Sequence, residues 1–287
     1  MTKSNTMQTS FFTCTDPFGT HRIAYTEWGQ ASDAPTILCA HGLTRNGRDF
    51  DRIAEALARQ GRHVLCPTMV GRNPSDFLSA HPEGYVYAQY IADITALLAA
   101  KKATTVDWIG TSMGGLIGMM VAAAPESKIR RLVLNDIAPF IPMAALQRIA
   151  AYAGLMAEFA DKAQAERYIR QIYAPFGITR DADWAHMADH AFRTLPNGKL
   201  VLGHDPLIAE AFKAVHEDVD LWPVYDAIKV PTLLLRGENS DVLPAETAVE
   251  MTQRGPKARL ITYAGIGHAP ALMDEAQIAD VGGFLEV

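Results

Sequence analysis

Val106-Asp107-Trp108-Ile109-Gly110-Thr111-Ser112-Met113-Gly114-Gly115 is the stretch whose reading decides the fold. An apolar run enters Gly110-x-Ser112-x-Gly114, and the small-residue segment Met113 to Ala123 follows at once. A buried strand that turns directly into a helix around Gly-x-Ser-x-Gly forces the serine into a strained backbone, with its hydroxyl at the helix N-terminus. Gly110 and Gly114 are needed because a Cβ at either position would collide with neighbouring backbone. A dinucleotide site is excluded by the lack of a Gly-x-Gly-x-x-Gly run, and a P-loop by the lack of Gly-Lys-Ser/Thr.

Outward from this turn, short apolar runs alternate with helix-like segments. Phe11 to Thr15 and His21 to Trp28 come first, joined by the turn-rich Asp16-Pro17-Phe18-Gly19. They lack helical crossovers and are expected to pair antiparallel at one sheet edge. Then come Thr36 to Ala40, a helix over Asp49 to Arg59, a strand over His63 to Cys66, a helix over Val86 to Ala100, and Leu132 to Leu134 after the central turn. Unalternated apolar strands between helices indicate a parallel sheet covered on both faces. From Ile137 to Trp222 the rhythm stops, and the segment reads as several helices broken at Pro175-Phe176-Gly177 and Pro196-Asn197-Gly198. It resumes with Thr232 to Leu235, a helix over Ala245 to Thr252, a strand over Leu260 to Tyr263 and a last helix from about Met273. The expected organisation is one core domain over 1–136 and 223–287, with a helical lid inserted over 137–222.

Three further motifs follow the serine turn's logic. His41-Gly42 closes the strand Thr36 to Ala40; the strand Thr232 to Leu235 leads through Gly237 to Asp241; and Gly265-Ile266-Gly267-His268 sits between the last strand and the last helix. With the serine turn, these resemble the α/β-hydrolase family of serine hydrolases, carboxylesterase-like, from about Phe11 to Leu285. The resemblance implies an α/β-hydrolase fold: a mostly parallel, eight-stranded sheet flanked by helices, with an inserted lid. It implies a triad of Ser112, Asp241 and His268 in the family's chain order. Asp136, after the strand Leu132 to Asn135, is the rival for the acid. Backbone N–H groups of Leu43 and Met113 would form the oxyanion hole, and His41 takes a structural hydrogen-bonding role. Arg45 and Asn46, just beyond His-Gly, are candidates to read a polar group of the substrate. One departure stands out: relatives commonly carry Asp-x-x-Gly-x-Gly-x-Ser where this chain has Thr68-Met69-Val70-Gly71-Arg72-Asn73-Pro74-Ser75.

Composition narrows the function classes. The 287 residues carry 26 Lys and Arg against 32 Asp and Glu, a net charge of −6, with no basic block to attract nucleic acid or an anionic membrane. Hydrophobic residues make up 49%, enough for a large core and too many for a disordered chain. The length matches about two average domains of roughly 150 residues, or one large α/β unit. Cys14, Cys39 and Cys66 form no metal-binding or disulfide spacing and imply a reducing compartment, and Cys39 and Cys66, inside apolar runs, read as buried hydrophobes. The polar start MTKSNTMQTS lacks the apolar segment of a signal peptide, so a cytoplasmic location is expected. His186 and His190 lie one turn apart, without a His-Glu-x-x-His pattern or a third ligand in sequence, and read as a solvated helix face. No metal and no cofactor is expected.

These readings lead to covalent acyl transfer to water on a small, largely apolar ester, the small-molecule substrate being the only partner implied. Carbon–carbon bond hydrolysis or enol-lactone hydrolysis on a ring-fission product and cofactor-free perhydrolysis use the same residues, and a ligand receptor can keep the same fold. Dehalogenases and epoxide hydrolases of this family use an aspartate nucleophile, which Ser112 replaces here. The stripe Met143, Leu146, Ile149, Tyr152, Leu155, Met156 and Phe159 has helical spacing and is expected to contribute an apolar inner face to the lid.

Overall fold

A computed structural model describes residues 7–213 and 216–286; the first six residues of the polar start lie outside them. Six strands precede the inserted segment: β1 (Gln8–Asp16), β2 (Gly19–Trp28), β3 (Thr36–Ala40), β4 (Val64–Pro67), β5 (Val106–Thr111) and β6 (Ile129–Asn135). Two more, Thr232–Gly237 and Arg259–Tyr263, follow it. All eight form one sheet in the order β1-β2-β4-β3-β5-β6, then Thr232–Gly237, then Arg259–Tyr263. β1 pairs antiparallel with β2, and β2 with β4, while the remaining pairs are parallel. The fold is the α/β-hydrolase fold that the motif order predicts.

Alternation inside each apolar strand explains why helices cover both faces. Ile37 and Cys39 of β3 face α1 (Asp51–Arg59) and the last helix, Glu275–Glu286, in a cluster with Ile53, Leu57, Val281 and Leu285. Leu38 and Ala40 face the other way, into a cluster with α2 (Tyr87–Ala100) and α3 (Met113–Ala123), which contribute Ile94, Leu97 and Ile117. Leu57 is 1% exposed, and burying such a side chain contributes about 2 kcal/mol. Cys39 and Cys66 are free and buried, in keeping with the hydrophobe reading, and Cys14 is free and buried as well.

Between β6 and Thr232–Gly237 the chain forms α4 (Met143–Ala153), α5 (Lys162–Ile172) and α6 (Asp181–Ala191). It also forms strands that the helical reading missed. Glu158–Phe159, Leu200–Leu202 and Phe192–Thr194 make a three-stranded antiparallel sheet, and Phe140–Ile141 pairs with Val219–Asp220, bringing the two ends of the segment together. Each strand is two or three residues long, too short for a period-2 pattern to register. The apolar stripe does not run through to Phe159: α4 stops at Ala153, and Tyr152, Leu155 and Met156 are exposed. Phe159, Ile169, Trp184, Met187 and Phe192 instead form a small core of their own, which Met273, from the chain after Arg259–Tyr263, joins.

Candidate active site

Ser112 sits at the end of β5 with φ 51° and ψ −115°, a conformation L residues rarely adopt. The glycines make it sterically possible. A Cβ on Gly110 would lie 2.3 Å from the Gly114 carbonyl oxygen, and one on Gly114 would lie 2.0 Å from that of Ala40. Asn135 supports the turn from the next strand. Its carbonyl accepts from Ser112 N–H at 3.0 Å, and its side-chain amide donates to Thr111 Oγ1 and to the Pro270 carbonyl.

His268 Nε2 lies 3.0 Å from Ser112 Oγ, so the expected nucleophile and base meet. Its Nδ1 lies 2.6 Å from Asp136 Oδ2, which corrects the expectation that Asp241 is its partner. Asp136 is fully buried, at φ 57°, and its carboxylate also accepts from Gly237 N–H at 2.8 Å and Ser240 Oγ at 2.5 Å. Asp241 turns outward instead: its Oδ2 meets Arg148 Nη2 of α4 at 2.6 Å, with its side chain 60% exposed. The reason lies in the loop after Thr232–Gly237. Ser240 Oγ accepts from the N–H groups of Val242 and Leu243 while donating to Asp136, so the inward position is taken by Ser240 and the next side chain points away.

The His41-Gly42 turn is held as the sequence suggests. His41 Nδ1 donates to the Gly42 carbonyl at 2.7 Å, and Nε2 accepts from Met69 N–H at 2.9 Å. Burial, with Arg72's charge adding to it, pushes the His41 pKa down to about 3, so the ring is neutral. The Gly42–Leu43 peptide is planar and trans, so anchoring its carbonyl also fixes the direction of Leu43 N–H on its opposite side. Arg72 Nε donates to the Leu43 carbonyl at 2.8 Å and thereby fixes the following peptide plane as well. Met113 is the first residue of α3, where amide N–H groups have no intrahelical acceptor. Leu43 and Met113 both line the cavity beside Ser112.

Arg72 is the residue that reading the motifs overlooked. It is 1% exposed, and it also donates to the Val70 carbonyl and Tyr90 Oη, both at 2.8 Å, with Nη2 3.7 Å from Met113 Sδ. The departure at Thr68 has a structural use too: its hydroxyl accepts from Gly47 N–H at 3.0 Å, and Ser75 Oγ donates to its carbonyl at 2.6 Å.

The two substrate-reading candidates part company. Arg45 lines the cavity, but it is 5% exposed and its guanidinium is bound through two nitrogens to Asp49 at 2.8 and 2.6 Å, while stacking over Tyr173. Asn46 does not reach the cavity. It caps the following turn by accepting from Arg48 N–H and donates to the His190 carbonyl. His186 and His190 are half-buried rather than solvated, and Asp51 of α1 joins them as a third potential ligand. Asp51 is held by Arg48 at 2.6 Å, and His186 Nε2 lies 2.9 Å from the Arg48 carbonyl, so His186 fastens α6 to the turn that precedes α1.

The cavity over Ser112 measures about 580 Å³ and is mainly apolar, with Leu43, Leu116, Ile137, Leu146, Ile149 and Phe176 among its walls. Leu146 and Ile149 come from α4, so the segment between β6 and Thr232–Gly237 forms part of it. No helix among the described residues is long and apolar enough to cross a membrane.

A family model of the alpha/beta hydrolase fold matches residues 35–274. The 3-hydroxybutyrate-oligomer hydrolase of Cupriavidus necator is 40% identical over 278 residues, covering 94% of each chain. A crystal structure from Rickettsia typhi superposes with a TM-score of 0.87 at 32% identity, covering 98% of this chain and 99% of that one. An alpha/beta hydrolase from Novosphingobium aromaticivorans superposes with a TM-score of 0.84 at 35% identity, covering 98% of each.

Proposed function

The chain belongs to the α/β-hydrolase family and is a hydrolase, and on that premise we propose that it cleaves carboxylic esters of small, largely apolar substrates through an acyl-enzyme on Ser112. The observation that carries this reading is the unbroken hydrogen-bonded path from Ser112 Oγ through His268 to Asp136. His268 Nε2 takes the hydroxyl proton as Oγ attacks the ester carbonyl. Asp136, in place of Asp241, holds the proton on Nδ1 and balances the imidazolium charge. Leu43 and Met113 N–H groups receive the oxyanion; one such donor is worth about 10²–10³ in rate. His268 then protonates the leaving alcohol, and a water molecule activated by the same ring releases the acid.

The apolar cavity suits aliphatic acyl and alcohol groups, and the segment 137–222 serves as its lid. The Cupriavidus necator relative's name directs the choice of substrate to linear esters of short hydroxyacids, whose repeating unit is an ester flanked by CH₂ and a methyl-bearing carbon. The test is hydrolysis of p-nitrophenyl esters and of the 3-hydroxybutyrate dimer and trimer, beside fluorophosphonate labelling of Ser112. Ester turnover that disappears in Ser112→Ala supports the reading. Labelling without turnover of any ester overturns it in favour of hydrolysis of another bond, such as a carbon–carbon bond, by the same residues.

A further inference from the structure

Among the described residues, four carboxylate or guanidinium side chains line the cavity, and they form two ion pairs of opposite character. The inner pair, Arg45 and Asp49, is largely buried and bidentate. The outer pair joins Arg148 of α4 to Asp241 of the core, with side chains 56% and 60% exposed. An exposed pair of this kind gains little from its own contact. A third charged group can therefore take the place of either partner at small cost. Arg45 has no such freedom, because separating it from Asp49 would leave two largely buried charges unpaired.

We propose that Arg148 forms a carboxylate-binding subsite at the mouth of the cavity, which takes the free carboxylate of a short hydroxyacid oligoester by displacing Asp241. The proposal rests on the ester-hydrolase reading and deepens it. Arg148 and Asp241 both line the same cavity as Ser112, so one extended ligand can span them. Tyr152, one helical turn after Arg148, also borders the cavity and offers its hydroxyl as a second donor to the same carboxylate. In a linear hydroxyacid oligomer the free carboxylate belongs to the alcohol side of the terminal ester. Arg148 therefore holds the leaving hydroxyacid while the acyl portion occupies the apolar walls beside Ser112. Asp241 is released into solvent, where its charge is hydrated and screened.

The experiment compares kcat/KM for the 3-hydroxybutyrate dimer with that for its terminal N-methylamide, which keeps the scissile ester and removes the charge. Wild type is expected to prefer the free acid by roughly two- to fivefold, the scale of one exposed charge pair, carried mainly by KM and shrinking as salt is raised. Arg148→Gln is expected to bring the ratio close to one, and Asp241→Asn, which removes the competing carboxylate, to raise it. A wild-type ratio near one, or a preference unchanged in Arg148→Gln, overturns the subsite while leaving the ester-hydrolase reading intact. Hydrolysis of neither compound, or of any other ester, by wild type overturns both.

Discussion

Ser240 Oγ and Asp136 Oδ2 meet at 2.5 Å although 104 positions separate them in the chain. The same Asp136 oxygen lies 2.6 Å from His268 Nδ1. One carboxylate oxygen thus joins the loop after Thr232–Gly237 to the histidine loop, and its neighbour, Oδ1, is held by Gly237 N–H. The loop that ends in Asp241 contributes to the site through the residue before it.

Exchanging the acids separates the two candidates. Asp136→Asn is expected to lower kcat by about 10³–10⁴, because the amide no longer stabilises the imidazolium and favours the wrong tautomer. Asp241→Asn loses no more than a few-fold on a neutral ester. Steady-state kinetics with p-nitrophenyl acetate distinguish them; the reverse order of losses would return the acid's role to Asp241.

Ser240→Ala removes one donor from Asp136 and leaves the N–H groups of Val242 and Leu243 without that acceptor. Stability is expected to fall by about 1–3 kcal/mol, read from urea denaturation, with kcat reduced by roughly tenfold through a looser carboxylate.

Gly114→Ala tests the steric argument at the serine turn. The new Cβ would lie 2.0 Å from the Ala40 carbonyl oxygen, a clash between backbone elements that no rotamer relieves. A loss of about 3 kcal/mol or more in stability is expected, and an unchanged denaturation midpoint would contradict the packing described.

Acid should weaken the fold through His41. Its folded pKa, about 3, lies below the unfolded value near 6.5, so between these limits the unfolded chain binds a proton that the folded chain does not. Its contribution is present above pH 6.5 and diminishes as pH falls, by about 2 kcal/mol at pH 5. His190 and His204, both lowered to about 4 by burial and neighbouring positive charge, act in the same direction. His21 acts in the opposite direction: burial disfavours its charge, but Asp93 and Asp16 raise its pKa overall. Urea midpoints at pH 7 and pH 5 measure the net fall, which is expected to be smaller in His41→Gln.

The serine turn was readable because three constraints coincide within ten residues: an apolar strand, two glycines at fixed offsets and a helix of small residues. The histidine loop was readable for the same reason. The acid was not, because Asp136 and Asp241 both follow apolar strands. What distinguishes them is the positive φ at Asp136 and the inward turn of Ser240, neither of which leaves a spacing signal. Arg72 escaped notice because a buried guanidinium satisfied by carbonyls and a phenol has no local pattern; its partners reach from position 43 to position 90. The strand pairing at the two ends of the inserted segment was hidden by the two-residue length of each strand.

His268 stands 156 residues from Ser112 and 132 from Asp136, and its loop follows Arg259–Tyr263, at the edge of the sheet. During synthesis on the ribosome, Ser112 therefore emerges long before the base that would activate it. No nascent chain ending before that loop can assemble the relay, however well its β3–β5–β6 centre has folded. Acquisition of reactivity becomes a late event in the life of the molecule, and the appearance of a fluorophosphonate-labelled serine would report that the last sheet strand and its loop have docked.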